Sequence, residues 1–561
     1  MAKSDQLRVP DSTKAAFDPI LKALGPARKA VAGAKDVVGV RPGYHYPPEG
    51  DPVPALVVSV TPGTVPVRAD DLAHQLGIPV SLADADIDEQ VAPRPAGVSF
   101  AAPGAPTSAL EALLTGGTAL DFAPPKRGAY EPLDPDELPL VDERMKATIC
   151  VSPEAGWAEL EEFLAGTEER LTVAMYQFTA PHVFEAVMEA VEPEGRELML
   201  VLHPVPEPPP RSGTKANDLP EEKKVLAPLR KALGDRFSFS WATLKTKAHP
   251  DGQWASAYHI KVAVRDGTAF WLSSGNWQSS NQPDVHLFGP DKEKAPPGLQ
   301  RKYNRDYHAV IENKKLAAAY ERYIKRDFDL TSEGEVESFA LPDLFVPEEE
   351  EPEAVAFAAP PQFFPPLVLD RKVKVRPLLT PDNYAEHTID LIKKAKESVW
   401  FQNQYINFRN TGEDFPEFKR LIAALKKKID DDLDVRIICR DMMKQTSVDV
   451  LVALGFPRKL MRFQRACHNK TIIVDGKTVI FGSHNWSNEG VATNRDASLI
   501  FFDEEVAEYL GQVYEYDWER LATAKPARRK VRVARAGEPP PPGFHRVPFS
   551  AVFEDESPAN F

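Results

Sequence analysis

The chain is 561 residues long with 27% charged residues and a formal net charge of −15, a composition of soluble globular proteins that leaves room for several domains. No run of about 18 apolar residues occurs, which excludes a helical membrane span on hydropathy, and the acidic balance disfavours tight, sequence-independent binding along a polyanion. The three cysteines, Cys150, Cys439 and Cys467, are odd in number and lack CxxC spacing, so neither a disulfide framework nor a cysteine zinc site is expected, and Cys467 reads as a small core residue.

From the N-terminus, MAKSDQLRVPDS has no hydrophobic signal region, so the expected location is cytoplasmic, with peripheral contact at a membrane as the further option. Residues 13–34 are Ala/Lys-rich with helical spacing, and VVGVRPGYHY and then the strand candidate PALVVSV follow. Residues 1–100 are therefore expected to form a small α+β module. His45 and Tyr46 read as structural, no chemistry is assigned to the module, and docking of a protein partner is the role such an appended module suggests. Residues 101–146, rich in Pro, Ala and Gly, read as a connector.

From 147 to 332 the elements alternate. An amphipathic helix around Trp157–Leu164 is followed by the strand RLTVAMYQF, a helix over 180–192 and the strand ELMLVLHP. Residues 333–371 carry Glu348–Glu351 and Glu353 among many prolines and read as a linker over the surface, with a lid as the alternative. Between 372 and 524 the order recurs: AEHTIDLIKKAKE is a helix, SVWFQNQYI a strand, FKRLIAALKKKI a helix and LDVRIICRD a strand. Such alternation predicts an α/β layer structure. The aromatic-studded helices AAAYERYIKRDF and VAEYLGQVYEYDW each close one half and are expected to face the core. The tail, 525–561, contains KPARRKVRVAR, a basic run suited to anionic lipid, to nucleic acid or to the acidic body of the protein.

Within this frame one device is written twice. YHIKVAVRDGTAFWLSSGNW places His259, Lys261 and Asp266 ahead of Ser274 and Asn276; CHNKTIIVDGKTVIFGSHNW places His468, Lys470 and Asp475 ahead of Ser483 and Asn485 at identical offsets. Each Asp-Gly lies between β-branched runs and predicts a hairpin. With a two-residue loop, Arg265 pairs with Thr268, His259 stands opposite Ser274 and His468 opposite Ser483. The His, Lys, Ser and Asn side chains then gather on one surface, while Ile260, Val262 and Val264 face a core. Lysine beside imidazole and amide repels a metal cation but suits a phosphate, because the ammonium and the Asn and Ser groups donate to oxyanions. Downstream, Asn304-Arg305-Asp306 is echoed by Asn494-Arg495-Asp496, and Gln177 and Gln404 take matching places on the first strand of each half. For these two amides, lining the substrate site and serving as buried structural groups stand as equal readings.

The doubled pattern His-x-Lys-x4-Asp-x6-Gly/Ser-Ser-x-Asn resembles the HKD signature of the phospholipase D superfamily. Ser273 departs from the family's Gly, whereas Gly482-Ser483-His484-Asn485 fits it. The resemblance runs from about Thr148 to Ala524 and leaves the first 140 or so residues uncovered. It implies two tandem phospholipase D-like α/β/α sandwich domains related by a pseudo-two-fold axis, plus the N-terminal module. It also implies a phosphohistidine intermediate with no metal or organic cofactor. His259 would attack phosphorus, by analogy with members whose first motif attacks, and His468 would serve as acid and base. Lys261, Lys470, Asn276 and Asn485 would hold the phosphate with help from Ser274 and Ser483, and Asp266 and Asp475 would anchor the hairpins. Asp306 and Asp496 stand where the family usually carries Glu and would orient His259 and His468. The expected substrate is a phospholipid at a membrane surface, hydrolysed or transferred to an alcohol. A nuclease or nucleic-acid end-processing enzyme is the alternative, and a non-catalytic scaffold the third reading. Cardiolipin synthases share the tandem motif but usually carry membrane segments, which this sequence lacks. Head group and oligomeric state are not written in the sequence.

Overall fold

The computed structural model describes residues 7–91, 108–115, 129–204, 223–242, 254, 257–290, 292–331, 343–347, 360–408, 415–525, 531–534 and 537–548. Three N-terminal strands, β1 (Val37–His45), β2 (Val53–Val60) and β3 (Val80–Asp84), form a small sheet behind a helix over Asp11–Ala30. The next strands are β4 (Val141–Ser152), β5 (Arg170–Met175), β6 (Glu197–Leu202), β7 (Phe237–Trp241), β8 (Lys261–Arg265), β9 (Ala269–Ser273) and β10 (Asp306–Glu312). After β11 (Asp343–Pro347) come β12 (Leu367–Leu379), β13 (Ser398–Asn403), the short β14 (Ile406–Asn407), β15 (Asp434–Arg440), β16 (Met461–Gln464), β17 (Lys470–Val474) and β18 (Thr478–Gly482). The chain continues through the short β19 (Trp486–Ser487), β20 (Ala497–Phe501) and β21 (Ala522–Thr523) to β22 (Arg532–Val533) and β23 (Phe544–Pro548).

A single 15-stranded mixed sheet runs β21-β16-β15-β13-β17-β18-β20-β12-β4-β10-β9-β8-β5-β6-β7. Read outward from the central β4–β12 pair, the two sides follow the same sequence of roles. A long strand comes first, then the strand entered from Asn-Arg-Asp, then the two hairpin strands, and last the parallel strands joined through helices. The parallel pairs β5–β6 and β13–β15 need crossover helices because a tight turn cannot return a chain in the same direction. Helices over Pro181–Val191 and Pro416–Asp430 supply them. β4 and β12 pair over nine residues, Val141↔Val375 to Ile149↔Leu367, and make the sheet continuous. Both strands begin inside stretches that composition assigns to connector and linker, at Val141 and Leu367, a difference that arises because their exposed faces are charged and their ends are Pro-flanked.

Three layers result. The aromatic helices Lys314–Thr331 and Glu504–Tyr516 cover one face: Leu316, Tyr320, Tyr323, Leu510 and Tyr514 share a buried cluster with Ile260, Val262, Val264, Val479 and Phe481. On the other face Trp157, Val187 and Leu229 pack on β5, β6 and the hairpin of the first half. The matching face of the second half has a larger cover. Phe17, Leu24, Tyr44 and Leu110 lie in one core with Leu421, Leu425, Val448 and Leu451. Arg41 seals this contact, paired with Asp449 at 2.7 Å and Glu89 at 3.0 Å, while Tyr46 donates to Asp449 at 2.7 Å and His45 is exposed. The N-terminal elements are thus packed as a wall of the second half.

The hairpins differ from the two-residue expectation. Asp266 and Gly267 both take left-handed backbone (φ 54° and 63°), as do Asp475 and Gly476 (53° and 62°), a conformation that Gly adopts freely and Asp tolerates. However, the ladder resumes one residue later, at Arg265↔Ala269 and Val474↔Thr478. The loops hold three residues, so His259 is not paired with Ser274, nor His468 with Ser483. The Asp266 carboxylate accepts from the backbone N–H groups of Glu168, Glu169 and Arg170, and Asp475 from those of Lys396, Glu397 and Ser398. Each hairpin tip is thereby fastened to the start of the neighbouring parallel strand.

The acidic linker residues Glu348–Glu351 and Glu353 lie outside the described residues, as do most of residues 92–128 and the core of the basic tail. The described part of the linker, β11, pairs with β22 and β23. Leu344 and Val346 of this satellite sheet pack with Ile87, Val531 and Met442.

Phe17 is fully buried, so Phe17→Ala is expected to cost about 3–5 kcal/mol, the range for deleting a core aromatic. Urea unfolding checks this: a loss under about 1 kcal/mol would show that the N-terminal helix is not part of the second-half core.

Candidate active site

The two histidine loops enter beside the Asn-Arg-Asp strips of the opposite halves. The His259 N–H donates to the Arg495 carbonyl at 2.7 Å, and Arg495 N–H to Ala257 O at 2.9 Å; symmetrically, Arg305 N–H donates to Ala466 O at 2.7 Å and Asn469 N–H to Arg305 O at 2.7 Å. This places each aspartate against the other half's histidine. His259 Nδ1 lies 2.7 Å from Asp496 Oδ1, and His468 Nδ1 lies 2.6 Å from Asp306 Oδ1, with all four side chains fully buried. The two aspartates expected beside the histidines of their own halves stand instead against those of the opposite halves, and the shorter acid reaches because it comes from across the interface. Each aspartate is also gripped by its own half's serine, Ser274 to Asp306 at 2.7 Å and Ser483 to Asp496 at 2.6 Å. The serine hydroxyls are therefore engaged with the carboxylates.

The arginines inside the strips explain how these loops are held. Arg305 forms a two-pronged pair with Asp517 (3.1 and 3.0 Å) and a third contact to Glu154 (2.6 Å). Arg495 pairs with Asp327 (2.9 Å to Nε) and Asp382 (2.8 Å). Asp517 and Asp327 stand at the ends of the aromatic helices, each from the half opposite to its arginine. Asp327-Phe328 echoes Asp517-Trp518, and Ser152-Pro153-Glu154 echoes Thr380-Pro381-Asp382. That signal was present in the repeat and identifies residues that sequence reasoning left out. Removing one partner of such a buried pair strands a charge, which makes the lock stiff.

Lys261 Nζ donates to His259 O at 2.8 Å and lies 5.0 Å above the Tyr176 ring; Lys470 Nζ donates to His468 O at 2.6 Å and sits 3.2 Å from His468 Nε2. Both ammonium groups are buried. Asn485 Nδ2 donates to Gln404 Oε1 at 3.2 Å, which brings Gln404 to the second motif. Gln177 is buried on the first, its backbone carbonyl accepting from Trp277 N–H at 3.0 Å. Neither amide atom of Asn276 has a hydrogen-bond partner among the described residues, nor has Gln177 Oε1 or Asn485 Oδ1. Buried amides without partners are uncommon; of these atoms only Asn276 Nδ2 can donate to an oxyanion, and the three oxygens accept from a hydroxyl or an N–H. The departure at Ser273 also has a reason. Its Oγ lies 2.8 Å from His308 Nδ1, whereas a Cβ at Gly482 would fall 2.2 Å from Ala497 O.

Electrostatics keep the two acids ionised. Burial acts to raise Asp306, but His468 and Lys470 outweigh it and hold the carboxyl well below its usual range; Asp496 is lowered in the same way by His259 and Lys261. Three further histidines are kept neutral. Burial, with the charges of His259 and Lys261, brings His203 down to about 3. Burial and His259 bring His484 to about 3 against the pull of Asp496, and burial brings His308 to about 4. His203 stacks on Tyr176, and His484 lies 3.6 Å from the Tyr384 ring.

Fold and site together define a mixed α/β protein that sets two histidine-lysine hairpins face to face, each completed by a carboxylate of the other half. This arrangement is similar to that of the phospholipase D superfamily. A family model described as cardiolipin synthase, phospholipase D-like domain, matches residues 388–518. The chain is similar to cardiolipin synthase A of Pseudomonas aeruginosa (strain LESB58), with 26% identity over 282 residues, 49% of each chain. It is also similar to a mitochondrial cardiolipin hydrolase of Canis lupus familiaris, with 38% identity over 58 residues, 10% of this chain and 23% of the relative. The chain spans about half the length of the cardiolipin synthases it matches. Among solved structures, phosphatidylserine synthase of Haemophilus influenzae Rd KW20 aligns with 13% identity and a TM-score of 0.43 over 69% of this chain and 89% of its own.

The neutral histidines carry a pH consequence. Their folded pKa values lie below the unfolded value of about 6.5, so the unfolded state binds more protons and acid favours it. Stability is expected to be full above about pH 7 and to fall as pH drops toward 4, by up to about 1.4 kcal/mol per pH unit per histidine. Denaturant unfolding from pH 8 to 5 reads the slope, and His308→Gln is expected to make it shallower; an unchanged slope would mean that His308 is already charged in the native protein.

Proposed function

We propose that this protein is a metal-independent phosphodiesterase acting on phospholipid through a phosphohistidine intermediate. Its two phospholipase D-like domains would be related by a pseudo-two-fold axis that passes between the histidines. The observation that carries the reading is the crossed pair of buried His–Asp couples, each beside a buried lysine. In this reading the first domain spans 147–332 and the second 372–524; the mirrored strand order of the central sheet supports two such units, whose first strands begin earlier, at Val141 and Leu367. The N-terminal segment braces the second domain.

In the first step a His259 Nε2–P bond forms while the ester P–O bond breaks, and the His468 Nε2 proton passes to the leaving oxygen. In the second step His468 takes the proton of water or of an acceptor alcohol as its oxygen attacks phosphorus and releases His259. Asp496 and Asp306 hold the Nδ1 protons, so that Nε2 of each ring faces the phosphate. Lys261, Lys470, Asn276 and Asn485 neutralise and orient the phosphoryl oxygens, with Gln177 and Gln404 behind them. The lipid reading is supported by relatives that are named for cardiolipin synthesis and hydrolysis. Among the described residues no helix is long and apolar enough to cross a membrane, so in this reading substrate is taken from a membrane surface.

Vesicles of phosphatidylglycerol, phosphatidylethanolamine or cardiolipin, offered in EDTA beside labelled DNA and RNA, test the proposal. Lipid turnover is expected, reduced at least about 10³-fold in His259→Ala and His468→Ala. Nucleic-acid cleavage with the same mutant dependence would overturn the lipid assignment. With a nitrophenyl phosphodiester, whose leaving group needs no acid, His468→Ala is expected to accumulate phosphate on the peptide containing His259. An adduct on His468 in the converse His259→Ala protein would reverse the assignment.

A further inference from the structure

The two His–Asp couples are not equivalent, and the difference is Asn281. It lies five residues beyond Asn276; the residue five beyond Asn485 is Gly490. Asn281 Nδ2 donates to Asp306 Oδ2 at 2.9 Å and lies 3.2 Å from His468 Nδ1. Its own Oδ1 accepts from Ser280 Oγ at 3.2 Å, and its backbone N–H donates to Gln278 O at 3.0 Å, so the fully buried side chain is fixed at both ends. Asp306 therefore receives Ser274 and His468 on one oxygen and Asn281 on the other. Asp496 receives Ser483 and His259 on Oδ1, and its Oδ2 has no partner among the described residues. The neighbouring bulk is exchanged to match. Gly275 precedes Asn276, and a Cβ there would lie 2.7 Å from the Asp306 carboxyl carbon and 3.0 Å from Asn281 Cβ. In the second motif the corresponding residue is His484, and the position of Asn281 is vacated to glycine.

Building on the proposed function, we infer that Asn281 is a positioning residue that divides the roles of the two histidines. By spreading the charge of Asp306 it primes His468 to release its proton to the leaving oxygen, while the less solvated Asp496 keeps His259 the better nucleophile. A carboxylate that accepts more hydrogen bonds is a weaker partner for an imidazolium. The Asn281 N–H set against the ring edge facing Asp306 opposes positive charge in the same sense. The other ionisable groups facing this couple are Lys470 on the strand of His468 and His308 two residues beyond Asp306. Both stay in place when Asn281 is changed.

The test compares wild type, Asn281→Ala and Asn281→Ser on two phosphodiesters, one with an alkyl and one with a nitrophenyl leaving group, across pH 5–9, beside thermal unfolding. On the alkyl substrate Asn281→Ala is expected to lose about tenfold in kcat/KM, a fraction of what a general acid contributes. On the nitrophenyl substrate it should stay within about twofold, because that leaving group needs no proton. The high-pH limb should move upward, since the acid now holds its proton longer, and Asn281→Ser, which keeps a donor, should restore part of the rate. Equal losses on both substrates, or an unmoved limb, would overturn the inference and reduce Asn281 to packing. If wild type cleaves neither ester the functional reading itself fails. Ring-nitrogen chemical shifts of His468 in selectively labelled wild type and Asn281→Ala then decide the inference: a changed proton distribution supports it, and identical shifts overturn it.

Discussion

Each motif imidazole, His259 and His468, is held by a carboxylate of the opposite half. The couples His259–Asp496 and His468–Asp306 make the interface between halves and the site one object. An imidazole alone has two tautomers and free rotation about its χ angles, and a buried carboxylate at Nδ1 removes both freedoms. Because that carboxylate arrives from the other side of the interface, neither motif is organised until both halves are docked. The backbone bridges Tyr258↔Arg495 and Arg305↔Cys467 set the docking, and the continuous β4–β12 ladder holds it.

The cost of this arrangement is buried charge, and the arginine strips show how the cost is met. Arg305 and Arg495 are almost completely shielded from solvent, a position that is unfavourable unless every donor is satisfied. Each guanidinium is met by two carboxylates and by the carbonyl of Ser152 or Thr380. These charges pull both aromatic helices and both strand ends onto the site, so the same contacts that neutralise them also fix the loops that carry Asp306 and Asp496. The N-terminal elements repeat the tactic at Arg41 between Asp449 and Glu89, which ties the wall of the second half to the rest of the chain.

Much of this was legible in the sequence, and the parts that were not have physical reasons. The His, Lys, Asp, Ser and Asn spacing identified both hairpins, because the same offsets occur twice around an Asp-Gly pair. Alternating amphipathic segments gave the order of strands and helices at Trp157–Leu164, RLTVAMYQF and FKRLIAALKKKI. Register failed by one residue because Asp266 and Asp475 are held by the backbone of a neighbouring strand, a tertiary constraint that local turn preferences do not contain. The long strands β4 and β12 were hidden because charged exposed faces, with pairs such as Arg144–Asp370 and Lys372–Asp142, dilute their apolar alternation. The crossing of the acids was invisible for a deeper reason: a repeat reports that two halves are alike but not which member of one half meets which member of the other.

Likeness between the halves also conceals where they must differ. Under the proposed function, phosphodiester cleavage needs one group that gives a proton and one that attacks, so the two histidines must differ in protonation when substrate is bound. The scaffold keeps the His, Lys, Ser and Asn positions of the two motifs duplicated and varies those one contact further out. His484 stacks on Tyr384 beside Asn485, whereas the corresponding place near Asn276 is the bare Gly275; Asn281 donates to Asp306, whereas the residue at the same offset in the second motif is Gly490, where a Cβ would fall 2.5 Å from Asn485 O. His203 adds a second uncharged imidazole close to His259. Burial keeps both of these rings neutral, so they shape and polarise the pocket without adding to the positive charge of the two lysines. Under the proposed function, symmetry in this site serves the phosphate and asymmetry serves the proton.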